Sequence, residues 1–211
     1  NRRIKSVELQ KEQSLAVLTL SESYNEATGK TIITISADGE LDIRYDYLLL
    51  TNINCRQWGI SFSFPETWNV LEWERKGLWN IYPEDHVGRI IGTARLTYNH
   101  SACGLAGPSS RPTWPYCEDQ TKFGSNDFRS TKRNVFEASL KADDSTGMKV
   151  ISDGTQHIRC WHQDNQVNLL VAEYDNPGAE RFLRAHAEAM DQPRKEGQKI
   201  NGEINLLIIS K

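Results

Sequence analysis

The chain has 211 residues, a formal net charge of −3 and 38% hydrophobic residues. A chain of this length can bury a substantial core, and its ordinary mixture of apolar and charged residues indicates a globular protein. Binding to nucleic acid requires a basic face, which a slightly acidic balance does not suggest. The sequence has no apolar run long enough to span a membrane. We therefore expect neither a nucleic acid nor a membrane as its partner.

Neither the first residue nor the cysteines decide the compartment of this protein. The sequence begins at Asn1 rather than methionine, and we interpret it as a fragment of a longer chain, so its start carries no signal about localisation. A chain of this length does not need a disulfide framework. Cys103 and Cys117 could pair and close the loop between them, or they could be free, as could Cys55 and Cys160.

The first half of the chain is predicted to form strands separated by turns. Leu15–Leu20 is apolar, Asn25–Lys30 has turn chemistry, and Thr31–Ser36 is rich in β-branched residues. Ala37–Gly39 has the composition of a hairpin turn. From Leu41 to Tyr47, apolar or aromatic residues alternate with charged ones, which is typical of a strand with one buried face. Two further strands are predicted, over Ile60–Phe64 and Val70–Trp73.

The segment Trp73–Gly92 is dense in tryptophan, acids, arginine and glycine. Within it, Tyr82 and Pro83 form a pair that disfavours helix. We expect a strand that ends near the start of this segment, then a structured loop, then a new strand over Arg89–Tyr98. In the loop, Gly77 is expected to adopt a backbone conformation that a Cβ would disfavour. Loops that carry aromatic and charged residues on a rigid scaffold are common binding sites.

The segment Asn99–Gly124 has no strand or helix pattern. It contains several glycines and prolines, with Trp114 and Tyr116 among them. Loops of this length are uncommon in a compact domain and are usually functional or mobile. Because clusters of exposed aromatic residues tend to mark contact sites, we expect this loop to face a neighbouring domain and to contribute to the rim of a pocket or to the domain interface.

The last third of the chain returns to strands and adds one helix. Ala179–Met190 is the one window with good helical spacing of apolar residues. Strands are predicted over Asn134–Leu140, Met148–Ile151, Gln156–His162, Val167–Tyr174 and Glu203–Ile209, with turns at Asp153-Gly154 and Asn201-Gly202. About eleven strands and one short helix predict an all-β sandwich. No clear boundary divides the chain, so residues 1–211 are expected to form one domain.

The segment from Trp73 resembles part of the C-terminal β-sandwich domain of family 2 glycoside hydrolases, the β-galactosidases. The positions that match the family's aromatic, glycine and Tyr-Pro pattern are Trp73, Gly77, Tyr82 and Pro83. The positions that differ are Arg75 in place of a glycine, Asn80 in place of a glutamate, and Glu84-Asp85 in place of Asp-Arg. Asn126–Lys132, Val167–Val171 and Gly202–Ile209 resemble later segments of the same domain, so the resemblance covers most of the chain in order.

This resemblance implies a large antiparallel supersandwich of the galactose-mutarotase-like type, whose first strands would lie upstream of Asn1. In the family, both catalytic glutamates lie on a (β/α)₈ barrel that precedes this domain, so no catalytic residue, cofactor or metal is implied here. The implied partners are that barrel, the other domains of the parent chain, and a galactoside. The parent would be a retaining glycosidase, and the resemblance suggests a bacterial cytoplasm or periplasm.

Glu72 and Glu74 are the most tempting acid pair. On a strand they share one face, and their carboxylates would stand near the separation that glycoside hydrolysis uses. A solvated strand face gives the same pattern far more often, and it is the interpretation that we favour.

His157, Cys160 and His162 have a spacing that suggests a metal site. On a strand, however, Cys160 and His162 face one way and His157 the other, so we do not expect a shared ion.

Aromatic side chains can stack on the C–H faces of a sugar and leave a polar tip for its hydroxyls. The candidates for carbohydrate binding or for a domain interface are Trp73, Trp79, Tyr82, Trp114, Tyr116, Trp161, His162 and His186. Core packing is the alternative for each of them, and for Trp58 and Trp68 we favour the core.

Three functions compete on these grounds. The first is an accessory domain of a glycoside hydrolase, inactive alone, that packs beside the barrel and helps to shape the sugar pocket. The second is a stand-alone carbohydrate-binding module. The surface should separate them, because a free module exposes a row of aromatic residues, whereas an accessory domain exposes an apolar docking patch. The third is a mutarotase-like sugar epimerase, which needs a histidine and a glutamate that converge in a cleft.

Overall fold

The described part of the chain consists of β-strands, turns and connections. The computed structural model describes residues 2–55, 57–77, 90–95, 131–163, 165–175 and 193–210. Within those ranges there is no helix, and so none that could cross a membrane. The strands are β1 (Arg3–Glu12), β2 (Leu15–Ser23), β3 (Ala27–Ser36), β4 (Glu40–Leu49), β5 (Gln57–Pro65), β6 (Trp68–Arg75), β7 (Ile91–Arg95), β8 (Thr131–Lys132), β9 (Val135–Ala142), β10 (Gly147–Ile151), β11 (His157–Gln163), β12 (Gln166–Asp175) and β13 (Lys199–Ile209).

These strands form two antiparallel sheets that pack face to face. The large sheet has nine strands in the order β1-β2-β3-β4-β13-β10-β9-β6-β7, and the small sheet has four in the order β5-β12-β11-β8. The predicted all-β antiparallel sandwich is therefore confirmed. The predicted helix, Ala179–Met190, lies outside the described residues.

The core lies between the two sheets and is built from alternate residues of their strands. In β4, for example, Ile43 and Tyr45 are buried while Arg44 and Asp46 are exposed, as the alternation in the sequence predicts. The small sheet supplies buried residues from β11 and β12 that lie opposite those of β4, β6, β9, β10 and β13. The most deeply buried members are Leu71, Val135, Leu140, Val150, Ile158, Cys160, Val167, Leu169, Val171 and Ile204, each 0% exposed.

Two glycines that suggested turns lie inside strands instead. Gly29 belongs to β3, so the predicted turn over Asn25–Lys30 is wrong for most of its length, and a Cβ there would lie 2.1 Å from the Asp46 carbonyl oxygen. Gly202 lies within β13 opposite Tyr45, so the predicted Asn201-Gly202 turn is also wrong. At both positions a neighbouring strand comes too close for a side chain. Close approach of another backbone, and not only a turn, accounts for a glycine.

The turn glycines that the sequence placed correctly are Gly39 and Gly154, with φ of 85° and 90°. Gly77, which was expected to need such a conformation, does not have a positive φ. A Cβ on Gly77 would instead lie 2.7 Å from Cγ1 of Ile90, a side chain that can move. Backbone strain at Gly77 is therefore not a feature of this fold.

Two strands have no counterpart among the predicted ones, namely β1 and the two-residue β8. Every residue of β1 is exposed, and its sequence, with a charge at every third position or closer, gives no strong strand signal. It forms because its backbone pairs with β2 along nearly its whole length.

Candidate functional site

The burial of the large sheet changes abruptly along rows of paired residues. Leu9, Leu18, Ile33 and Ile43 are each directly paired with the next, and their side chains therefore share one face of the sheet. Leu9 is 56% exposed, Leu18 and Ile33 are half-buried, and Ile43 is 2% exposed. The small sheet thus covers this face at β4 and stops covering it towards β1.

A second row shows the same change. Val7 pairs with Leu20, which pairs with Thr31, which pairs with Tyr45. Val7 is 58% exposed, whereas Leu20, Thr31 and Tyr45 are all buried, at 8%, 5% and 6% exposure. The large sheet therefore extends beyond the small one at β1, where every residue is exposed. At β2 and β3 the face is covered in part, since Leu18 and Ile33 are half-buried while Leu20 and Thr31 are buried. We call this incompletely covered apolar face, formed by Val7, Leu9, Leu18 and Ile33, the overhang.

A cleft of about 580 Å³ lies where the overhang meets β5. Its floor contains Leu20, Thr31 and Ile33, and one wall is the stretch of β5 from Trp58 to Phe62. Among the described strands β5 pairs with β12 alone, so its other edge borders this cleft. We take this cleft and the overhang as the candidate functional site.

At one end of the cleft, Glu22 is almost completely buried, at 1% exposure. The Arg2 Nε donates a hydrogen bond to its Oε2, and the Tyr47 hydroxyl donates to its Oε1. The Thr31 hydroxyl donates to the same Oε1 over 2.7 Å and lies 2.8 Å from the Tyr47 hydroxyl. Both carboxylate oxygens are thus bonded to donors of the protein.

These contacts decide the charge of Glu22. Burial by itself raises its pKa, but the hydrogen bonds from Arg2, Tyr47 and Thr31 outweigh burial and hold the pKa below its usual value. A general acid needs a raised pKa, and a nucleophile needs a free oxygen. Glu22 has neither, so its role in this structure is to hold Tyr47 and Thr31 in place.

Aromatic rings also line the cleft, from Tyr24, Tyr47 and Trp58. Tyr24 meets Tyr47 edge to face, with ring centroids 5.8 Å apart. Trp58 stacks on Tyr174 at 4.1 Å, with the Arg194 guanidinium 5.1 Å from its ring centroid. Trp58 is half-buried and lines the cleft, so the prediction that it is a core residue is wrong.

A second polar cluster lies between the sheets, beside Gly202. The Gln156 side-chain amide donates to the Glu173 carboxylate over 2.7 Å and to the Glu203 carbonyl over 2.6 Å. The Tyr45 hydroxyl and the Glu173 Cγ both lie within 2.6 Å of the position that a Cβ on Gly202 would take. Burial, the largest cause, raises the pKa of Glu173.

Glu173 also lines a smaller cleft, of about 390 Å³, together with Asp153, Gln156 and Glu203. An epimerase would need a histidine that converges with this glutamate. None of the described residues that line the smaller cleft is a histidine. In the part of the chain that the structure describes, no group of three histidine, cysteine, aspartate or glutamate residues could hold a metal ion.

The structure places Trp73 in the core. It is 3% exposed, Lys132 Nζ lies 5.0 Å from its ring centroid, and a Cβ on Gly92 would lie 2.4 Å from the ring. A sugar cannot reach a ring that is covered in this way, so Trp73 is no longer a candidate for stacking. Trp68, by contrast, packs against the core as expected, with its ring stacked on Phe64 at 4.7 Å.

Trp161 lies on the outer face of the small sheet and stays a candidate. It is half-buried, and the Arg159 guanidinium lies 4.7 Å from its ring centroid. Arg159 in turn donates to Gln57 over 3.1 Å, and Gln57 donates to Asp175 over 2.7 Å. The backbone of His162 lies in β11, but its side chain is outside the described part. The remaining candidates, Trp79, Tyr82, Trp114, Tyr116 and His186, lie outside the described residues, as do Cys103 and Cys117.

The strands show where the acid pair of β6 and the histidine and cysteine of β11 point. Glu72 and Glu74 lie on the solvated side of β6, where Glu72 forms an ion pair with Lys141, so the solvated-face interpretation is confirmed. Cys160 is 0% exposed in the core, while the His157 Nδ1 accepts a hydrogen bond from the Asn134 backbone N–H over 3.0 Å. These two side chains therefore point to opposite faces of β11, as predicted.

Sequence reasoning missed the cleft and its polar residues. Glu22, Thr31 and Tyr47 come from three different strands, and nothing in the spacing of the sequence brings them together. One available signal was the inward position of Glu22 in an apolar strand, two residues after Leu20. A charged residue on the buried face of a strand indicates a specific partner.

Comparisons with known proteins give little further information. No protein-family model and no curated protein matches the chain. Among solved structures, a galactose mutarotase-related enzyme from Lactobacillus acidophilus is 10% identical over 97% of this chain and 71% of that chain, with a TM-score of 0.39. Function has to be inferred from the residues of this chain.

Proposed function

We propose that this chain is an accessory β-sandwich domain of a family 2 glycoside hydrolase, which docks through its overhang onto a neighbouring domain and helps to form the sugar pocket of the whole enzyme. The observation that carries the proposal is the distribution of exposed apolar residues. Val7 and Leu9 are more than half exposed, and they continue the apolar rows of the core onto an open face. An apolar face of this kind on a sandwich is typical of an interface.

The same surface disfavours a stand-alone carbohydrate-binding module. Such a module presents a row of aromatic rings to the solvent. Among the described residues the exposed aromatic side chains are Tyr24 and Phe136, at 37% and 38% exposure. Tyr24 directly follows β2 and Phe136 lies in β9, and these two strands are not neighbours in the large sheet. The aliphatic overhang offers no flat ring on which a sugar could stack.

Catalysis by the isolated chain is disfavoured by the state of its acids. Glu22 has both oxygens bonded to protein donors, and Glu72 is paired with Lys141 on a solvated face. Retaining hydrolysis needs two carboxyl groups on either side of a bound sugar. The resemblance to family 2 enzymes agrees with this, because there the catalytic glutamates belong to the barrel.

The proposal can be tested on the purified chain and on its gene. We expect no hydrolysis of nitrophenyl galactosides, no acceleration of galactose mutarotation in a polarimeter, and no binding of galacto-oligosaccharides by calorimetry at millimolar ligand. The reading frame that adjoins the Asn1 codon on its 5′ side should encode a (β/α)₈ barrel. Tight glycan binding would favour the stand-alone module, turnover of either sugar substrate would favour an enzyme, and a reading frame without a barrel would contradict the accessory role.

A further inference from the structure

The two open edges beside the overhang differ in how they are protected. β1, the edge of the large sheet, carries charges along its length, at Arg3, Lys5, Glu8, Lys11 and Glu12. Charged residues of this kind keep edge strands from pairing with other chains. β5, the edge of the small sheet, contains no charged residue from Gln57 to Pro65. A bulge beside Trp58 and the terminal Pro65 leave the middle of β5 without protection.

The backbone of β5 defines what could occupy the cleft. In an antiparallel pair, the N–H and C=O groups of alternate residues point away from the partner strand. No described strand pairs with β5 on the side away from β12, and that side borders the cleft at Trp58–Phe62. A regular row of backbone donors and acceptors is satisfied best by another extended backbone, as in strand addition.

The floor of the cleft defines the side chains of that strand. A strand added to β5 would lie above β3 and β2, with every second side chain pointing down onto Leu20 and Ile33. Those positions must be aliphatic, while the positions between them face the solvent and must be polar. Since neighbouring strands lie about 4.8 Å apart, the cleft and the exposed face of β1 beyond it leave room for one such strand.

We propose that β5 is an acceptor for an extended segment of the neighbouring domain, aliphatic at alternate positions, which pairs with β5 and covers Leu18 and Ile33. This inference rests on the proposed docking role and identifies the element through which docking occurs. The added segment would extend the small sheet over the overhang and complete the sandwich.

A second copy of the chain is a poor occupant for geometric reasons. Antiparallel pairing of β5 with β5 of another copy would place the two small sheets side by side. The overhang of each copy would then occupy the space that the large sheet of the other needs, because β1, which is exposed along its whole length, lies beyond the cleft that β5 borders. The occupant is therefore a single strand or a thin element, not a second sandwich.

The test uses a fluorescent synthetic peptide that alternates valine with threonine, glutamate or lysine, and the full chain. We expect saturable binding by fluorescence anisotropy, with slower hydrogen–deuterium exchange of the amides of Gln57–Pro65 when the peptide is bound. A control peptide with the same side chains, but with alternate backbone nitrogens methylated along one edge, cannot pair. It should bind at least tenfold more weakly and should not protect β5.

Two matched variants test the floor of the cleft. Leu18→Lys places a charge on the overhang, whereas Thr19→Lys places the same charge on the opposite face of β2, since neighbouring residues of a strand point to opposite faces. We expect Leu18→Lys to weaken peptide binding at least tenfold and Thr19→Lys to leave it within twofold. Circular dichroism and thermal melts of both variants check that each remains folded.

Three results would overturn the inference. They are the absence of peptide binding, binding that the methylated peptide reproduces, and protection of the β5 amides in the chain alone, whether through dimers seen by sedimentation or within a monomer. These outcomes differ from those that would refute the proposed function, because sugar turnover or glycan binding is measured without the peptide. If the peptide does not bind, while the sugar assays are negative and the adjoining reading frame encodes a barrel, the proposed function stands and docking occurs through an element other than β5.

Discussion

Leu9 and Ile43 lie in one row on the same face of the large sheet, yet Leu9 is 56% exposed and Ile43 is 2% exposed. The difference has a simple cause, since the small sheet lies over β4 and not over β1. Full burial of a leucine or isoleucine side chain contributes about 1.5–3 kcal/mol. The overhang therefore offers a partner several side chains that the fold of the described residues leaves in water.

Glu22 should make the protein less stable in acid. Its pKa is held below the usual value of 4.5, so the unfolded chain binds a proton at a higher pH than the folded chain does. Its contribution to stability is present above pH 4.5 and is lost as the pH falls through the folded pKa. We expect urea midpoints of Glu22→Gln to fall less steeply below pH 5 than those of the wild type. The exposed Glu8→Gln variant serves as the control, and equal slopes in all three proteins would contradict the buried carboxylate.

Glu173 should make the protein less stable as the pH rises, the opposite of the effect of Glu22. Burial raises its pKa, so the folded chain holds the proton to a higher pH than the unfolded chain. Stability from this residue is present below its unfolded pKa and declines as the pH rises through the folded value. We expect Glu173→Gln, which keeps an acceptor for Gln156, to melt at a higher temperature than the wild type at pH 7 and to lose that advantage near pH 4. A variant that is less stable at both pH values would show that the carboxylate itself is needed.

Gly202 should not tolerate a side chain. A Cβ would lie 2.5 Å from the Tyr45 hydroxyl and 2.6 Å from the Glu173 Cγ. Overpacking of this kind costs about 1–3 kcal/mol of unfolding free energy. Gly202→Ala should therefore lower the urea midpoint clearly, and Asn201→Ala, its exposed neighbour in β13, should change it little. Equal midpoints for the two variants would show that Tyr45 and Glu173 move aside freely.

Trp73 should contribute more than Trp161 to the free energy of unfolding. Trp73 is 3% exposed in the core, and its truncation to alanine should cost about 3–5 kcal/mol. Trp161 is half-buried on the outer face of the small sheet, so Trp161→Ala should cost less. Chemical denaturation of both variants measures the difference. A larger loss for Trp161→Ala would mean that the outer face of β11 is an essential part of the core.

More of the fold than of the candidate site could be predicted from the sequence. Alternation in Leu41–Tyr47 and the hairpin at Gly39 gave β4 and its entry turn correctly, because both signals are local. Gly29 and Gly202 were misread as turns, because a glycine required by a close neighbouring strand looks the same in sequence as one in a turn. The overhang could not be predicted at all. Val7 and Ile43 are both apolar residues of strands in one sheet, and it is the cover of the small sheet over β4 and not over β1 that makes one exposed and the other buried.

The central claim is that the overhang is an apolar face open to a partner. It is tested most directly by binding of the dye anilinonaphthalene sulfonate to the isolated chain, together with sedimentation velocity. Leu9→Lys is the test variant, and Glu8→Lys is its control on the opposite face of β1. We expect the wild type and Glu8→Lys to bind the dye as monomers, and Leu9→Lys to lose at least half of the dye signal without a change in Tm. A wild-type chain that neither binds the dye nor differs from Leu9→Lys would show that the overhang is already covered, and would contradict the docking role.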